Sequence, residues 1–149
     1  MNGRIKECCC FLMPNTHISS IELKRSFKES PLLKIIAGIT NFDAASVELV
    51  GMAAGKGGAD FVDVACDPKI VKLAAAASGL PICVSAVEPE LFPAAIAAGA
   101  AMAEIGNFDA FYSQGLIFDA CKVLSLARHT RTLLPDVFLS VTVPHILPL

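Results

Sequence analysis

The chain has 149 residues, a formal net charge of −2, 54% hydrophobic content and a mean hydropathy of +0.62. That length allows one domain with a sizeable core, and the apolar content calls for either a membrane segment or strands buried on both faces. The longest apolar stretch, Leu91 to Ala103, is interrupted by Pro93 and Gly99 and falls short of the about 20 residues a spanning helix needs; with no basic stripe and no Trp, membrane and nucleic-acid partners are both set aside.

Residues 1–31 carry Cys8, Cys9 and Cys10, and charges of both signs without a period. Arg4, Lys6, Lys24, Arg25 and Lys28 are offset by Glu7, Glu22 and Glu29, so the segment is expected to be a disordered or atypical leader rather than a regular transit peptide. The other cysteines, Cys66, Cys83 and Cys121, are isolated, and no C-x-x-C pair suggests zinc. All are read as reduced thiols.

From Leu32 onward two kinds of segment alternate. Apolar runs at Leu33–Thr40, Asp60–Cys66, Pro81–Val87, Met102–Phe108 and Val137–Val143 are near-continuous, as in strands covered on both faces. Between them, Ala44–Gly55, Pro68–Ala77, Pro89–Ala98 and Phe111–Leu134 read as helices. Pro68 and Pro89 suit first helical positions, where a missing N–H costs nothing. Asp43, Asp67 and Asp109 are expected as helix caps, and Gly57, Gly79 and Gly99 as left-handed residues after helices. The pattern predicts about five βα units, the N-terminal portion of a TIM-type (β/α) barrel over residues 32–149. An open parallel α/β sheet is the alternative; the turn Ile39–Asp43 lacks the glycines that such a fold uses for dinucleotides. Gly55-Lys56-Gly57-Gly58 is not a phosphate loop, because Gly51 precedes Gly55 by three intervening residues rather than four.

In such a barrel, chemistry gathers at the C-terminal ends of the strands. That rim carries Asn41, Asp43, Asp67, Glu88, Asn107, Asp109 and His145. Strand alternation turns Lys34, Gly38 and Thr40 inward, then Asp63, Ala65 and Asp67, Cys83 and Ser85, Glu104 and Gly106, and Ser140 and Thr142. A lumen filled for stability alone would favour Val, Ile and Leu. Lys34, Asp63 and Glu104 are therefore the candidate acid/base residues, and Asn41, Asp67, Ser85, Glu88, Asn107, Ser140, Thr142 and His145 the candidate substrate contacts. The three charged residues could equally form a structural ion network or hold a divalent metal. No metal set or cofactor is assigned. Asp67 and Asp109 read first as caps, and His129 as a solvated helix residue.

Several motifs together resemble a known family: Leu33-Lys34-Ile35-Ile36-Ala37-Gly38 with Asn41-Phe42-Asp43; Asp60-Phe61-Val62-Asp63-Val64-Ala65 with Asp67-Pro68; Pro81-Ile82-Cys83-Val84-Ser85 with Val87-Glu88-Pro89; Glu104-Ile105-Gly106-Asn107-Phe108-Asp109; and Leu139-Ser140-Val141-Thr142-Val143-Pro144-His145. They resemble the plastid and cyanobacterial family called hypothetical chloroplast reading frame twenty-three, over about residues 32–149. The resemblance implies an aldolase-type barrel in plastids or cyanobacterial cytoplasm, and no catalytic residues to carry over. It also implies further strands, so the chain is expected to be truncated after the fifth.

Two functions are expected. The full-length form would be a lyase- or isomerase-type enzyme acting on a small metabolite, phosphorylated or not. Alternatively the chain is a non-catalytic isoform or assembly module, whose open edges pair with another copy or with a full-length subunit.

Overall fold

A computed structural model describes residues 28, 31–145 and 147, so the leader expected over residues 1–31 falls almost wholly outside the described residues. Five strands, β1 (Lys34–Gly38), β2 (Phe61–Ala65), β3 (Ile82–Ala86), β4 (Met102–Ile105) and β5 (Phe138–Val141), form one sheet. Every pairing is parallel, and the spatial order is the chain order. A doubly wound sheet reverses its order at a switch point; here no reversal occurs, and the helices pack on the face that carries Val62, Val64 and Val84. The sheet is an arc of a (β/α) barrel.

The helices are α1 (Ala44–Lys56), α2 (Pro68–Ser78), a 3-10 turn (Pro89–Leu91) running into α3 (Phe92–Ala97), α4 (Asp109–Tyr112) and α5 (Ala120–Leu133). Their packing explains the alanine content. Val47, Gly51 and Ala54 line the buried face of α1, and Ile70, Val71 and Ala74 that of α2. A Cβ on Gly51 would lie 3.2 Å from that of Ala77, so the two helices touch through small residues. Beneath them Val62, Val64 and Val84 are wholly buried, each contributing roughly 1.5–3 kcal/mol through removal from water.

The capping expectations hold in part. Asp43 accepts from the Ala45 amide, and Asp67 accepts from the Lys69 and Ile70 amides. Gly79 takes the left-handed conformation at φ 67. After α1 that role passes from Gly57, which is right-handed at φ −80, to Gly58 at φ 74. The expected helix Phe111–Leu134 is two helices, because Phe118 between them is buried with its ring centroid 4.6 Å from that of Phe108. Asp119, not Asp109, caps the longer one, accepting from the Lys122 amide. Anchoring that aromatic outweighs continuing a helix through Gly115, which sits at φ 76.

Replacing the Asp67 cap tests whether local signals hold the βα units. Asp67→Ala is expected to lower stability by about 1 kcal/mol, read by urea unfolding with an unchanged m-value. A loss below a few tenths would show that tertiary packing alone fixes the start of α2.

Candidate functional site

On the lumen side of the sheet the side chains form two layers. The lower one is apolar: Phe61, Cys83 and Met102 cluster with Leu32 and Phe138. Strand alternation turns Cys83 inward, and the same alternation one step earlier in each strand turns in Phe61, Met102 and Phe138, which were not named. Above it the strands bring together the predicted acid/base residues. Asp63, Ser85 and Glu104 are 1%, 1% and 4% exposed.

Lys34 enters from the outer strand. It pairs level with Phe61, below Asp63, and its long chain carries the ammonium up to the carboxylates. Nζ donates to Glu104 Oε2 at 2.9 Å and lies 3.6 Å from Asp63 Oδ2. Ser85 Oγ donates to Asp63 Oδ1 at 2.6 Å, and Thr142 Oγ1 donates to Glu104 Oε1 at 3.3 Å. Gly106 makes the last contact possible, since a Cβ there would stand 2.5 Å from Thr142 Oγ1. Ser140 pairs opposite Glu104 on the same face.

One ammonium thus serves two buried carboxylates. Burial pushes Asp63 up from the ordinary aspartate value, against the opposing pull of the Ser85 hydroxyl and the Lys34 charge, and Glu104 adds to the rise. Burial works against the Lys34 ammonium, but the hydrogen bond and charge of Glu104, with the charge of Asp63, outweigh it and raise the pKa. The amine therefore stays protonated at neutral pH. Cys83 is fully buried between the carboxylates, and burial holds its thiol far above the usual range. Asp63, Cys83 and Glu104 offer ligand atoms within 4.8 Å of one another. A divalent ion there would have to displace both the Lys34 ammonium and the Cys83 proton, so the set suits proton handling better than metal binding.

Asn107, at φ 56, leans near enough to favour the Asp63 carboxylate without hydrogen-bonding geometry; its Nδ2 and Asp63 Oδ2 are both buried without a hydrogen-bond partner. At the C-terminal ends of β1 to β3 lies a cleft of about 190 Å³ that shares Ser85 with the network. Ser85 and Glu88 line it, together with Thr40, Phe42, Cys66 and Phe111 among others. Burial raises the Cys66 thiol to about 12. The loop aromatics escaped the sequence reading, which ranked polar types only; their position just after strands was the available signal.

Other predicted residues lie apart from this cluster. Asn41 is committed to its own loop, donating to Ala37 O and Ser46 Oγ and accepting from the Asp43 amide. Asp67 is the α2 cap. A register shift between Ile36 and Gly38 sets Gly38 opposite Val64, on the helix side, so the expectation that Gly38 faces inward fails. His145 pairs with Asp109 at 3.2 Å on the exposed rim, beside Tyr112, and His129 pairs with Glu90 at 3.6 Å.

The raised pKa of Asp63 has a stability consequence with a fixed sign. The fold favours the protonated acid, so that contribution is full below the unfolded value of about 3.9 and is lost as pH rises through the folded value. Asp63→Asn is therefore expected to gain in Tm on the wild type as pH rises from 3.5 to 7, read by thermal unfolding across that range. Parallel Tm curves at all pH values would sink this account.

Residues 18–149 match the family described as a protein of unknown function, DUF561. The uncharacterized protein ycf23 of Cyanophora paradoxa is 49% identical over 123 residues, covering 82% of this chain and 51% of that protein. Its counterpart in Antithamnion sp. is 37% identical over 128 residues, covering 86% and 46%. The chain spans about half the length of these curated relatives. Among solved structures, dihydropteroate synthase from Xanthomonas albilineans in complex with 7,8-dihydropteroate aligns with a TM-score of 0.44 at 17% identity, over 68% of this chain and 55% of that one. The resemblance to the chloroplast reading-frame family is borne out, and the chain belongs to the DUF561 family of ycf23 proteins.

Proposed function

We propose that this protein acts in plastids or cyanobacterial cytoplasm as an enzyme of lyase or isomerase type. It would bind a small metabolite at the barrel mouth and move protons with Lys34, Asp63 and Glu104. The observation that carries this reading is two buried carboxylates sharing one ammonium, with Ser85 of the same network also lining an open cleft at the strand ends. A network kept for stability alone is a costly choice, since an apolar filling is often as stable or more so.

Each group has a role that its surroundings favour. Lys34 remains an ammonium and stabilises negative charge developing on a substrate oxygen. Asp63, more readily protonated than an exposed aspartate, gives and takes the proton. Glu104 holds Lys34, and Thr142 fixes Glu104. Ser85, Asn107 and Ser140 orient the substrate, with Glu88 and His145 at the rim.

The test is a thermal-shift screen of small metabolites, followed by the double variant Asp63→Asn with Glu104→Gln. The expected result is a cooperatively folded variant, with an unchanged circular dichroism spectrum, that no longer responds to the metabolite stabilising the wild type. A variant that still responds in full would assign the network to structure.

A second reading, an assembly module, is favoured by the two outer strands. Among the described residues β1 and β5 each pair on one side only, and Ile36 and Val143 beside them are 50% and 59% exposed. Such edges recruit a further strand. No described helix is long and apolar enough to cross a membrane. Urea unfolding at two protein concentrations tenfold apart separates the cases: a midpoint that rises with concentration is expected if another copy completes the sheet, and coincident curves would discard self-assembly.

A further inference from the structure

The mouth cleft differs from an anion site in three respects. Helix N-termini are the usual seats for phosphate and carboxylate ligands. Here the N-termini of α1 and α2, which follow the lining residues Phe42 and Cys66, are already filled by the chain's own carboxylates. Asp43 Oδ1 accepts from the Ala45 amide at 3.2 Å, and Asp67 Oδ1 accepts from the Lys69 and Ile70 amides at 2.8 and 3.1 Å. An arriving anion would find those donors taken and a negative charge in place.

Glu88 differs from both aspartates. It precedes the 3-10 turn but makes no capping bond, and it is the single charged residue among the described residues that line the cleft. The same lining includes Phe42, which is 61% exposed, and Phe111. A carboxylate and aromatic rings in one cleft are a setting for an organic cation, which gains from both the ion pair and the ring quadrupoles.

The floor points the same way. Ser85 lines the cleft and donates its proton to Asp63, whose Oδ2, on a side chain 1% exposed, is without a hydrogen-bond partner. Lys34 supplies one positive charge against the carboxylates of Asp63 and Glu104. The group that shares Ser85 with the cleft thus holds two acids to one base, and offers an anion no excess of positive charge.

We infer that this half of the barrel mouth takes a small organic cation, a primary amine on a short apolar body, with Glu88 as its counter-charge and Phe42 and Phe111 as its walls. The inference rests on the reading of the mouth as a ligand site and narrows the class of metabolite that enters it. The amine lies against Glu88, the apolar body fills the space beside Leu91 and Ile39, and the end nearest Ser85 faces the acid/base network.

Isothermal titration of the full chain with n-butylammonium, butyrate and inorganic phosphate tests it directly. Butylammonium is expected to bind, and butyrate and phosphate to bind far more weakly. Glu88→Gln is expected to weaken butylammonium by about fivefold or more, whereas Glu90→Gln, two residues along and paired with His129, leaves it unchanged. Absence of butylammonium binding, equal binding of either anion, or an unaltered Glu88→Gln variant each overturns the inference. The acid/base reading fails separately. Glu88-dependent amine binding with no metabolite depending on Asp63 and Glu104 sinks that reading and leaves the cation site. Anionic metabolites that depend on Asp63 and Glu104 do the reverse.

Discussion

Two carboxylates held out of water with a single ammonium between them set the terms for the rest of this lumen. Neither Asp63 nor Glu104 could be buried alone, because an unpaired buried charge costs several kcal/mol. The neighbouring positions answer that cost one by one. Lys34 spans from the outer strand to reach both, Ser85 donates to one and Thr142 to the other, and Gly106 stays bare of a side chain so that Thr142 can approach. The residues donating to Asp63 and Glu104 come from β1, from β3 and from just beyond β5, so the sheet's register and the site's geometry are one arrangement.

The two faces of the sheet solve different problems. Toward the helices, Val62, Val64, Val84 and Ala103 are fully buried beneath helices faced with alanine and glycine. Close helix approach follows, and with it a tight outer wall. Toward the lumen, the apolar layer of Phe61, Cys83 and Met102 lies under the ionised groups. That layer lowers the local dielectric response and so strengthens each interaction above it. It also accounts for the inertness of Cys83, a thiol kept protonated by burial and by two acidic neighbours.

Much of this was legible from residue types and spacing. The five apolar runs, the proline-marked helix starts and the strand alternation at Asp63, Ser85 and Glu104 follow from periodicity and sterics, which act locally. The contact of Lys34 with Glu104 could be suspected only as a charge balance, because it joins positions 70 residues apart. What stayed hidden depends on tertiary context. The break before Asp119 exists because Phe118 has aromatic neighbours to reach, and the shift at Gly38 because β1 must fit β2. No local pattern records either. The aromatic lining of the cleft was hidden for a different reason: Phe42 looks like an ordinary loop residue until the fold brings it and Phe111 to one cleft.

The order of the strands has a bearing on how the molecule comes into being. Each strand pairs with the one made just before it, separated by one or two helical segments, so every ladder closes a short loop and nothing must wait for a distant segment. Loop-closure entropy is therefore paid in small instalments, and topologies of this kind favour rapid, stepwise assembly. On the ribosome, each βα unit can settle against its predecessor as it emerges, the most recent strand serving as the template for the next. The ion network is the exception to that local rule: Lys34 is synthesised early and must hold its charge in place until Glu104 arrives.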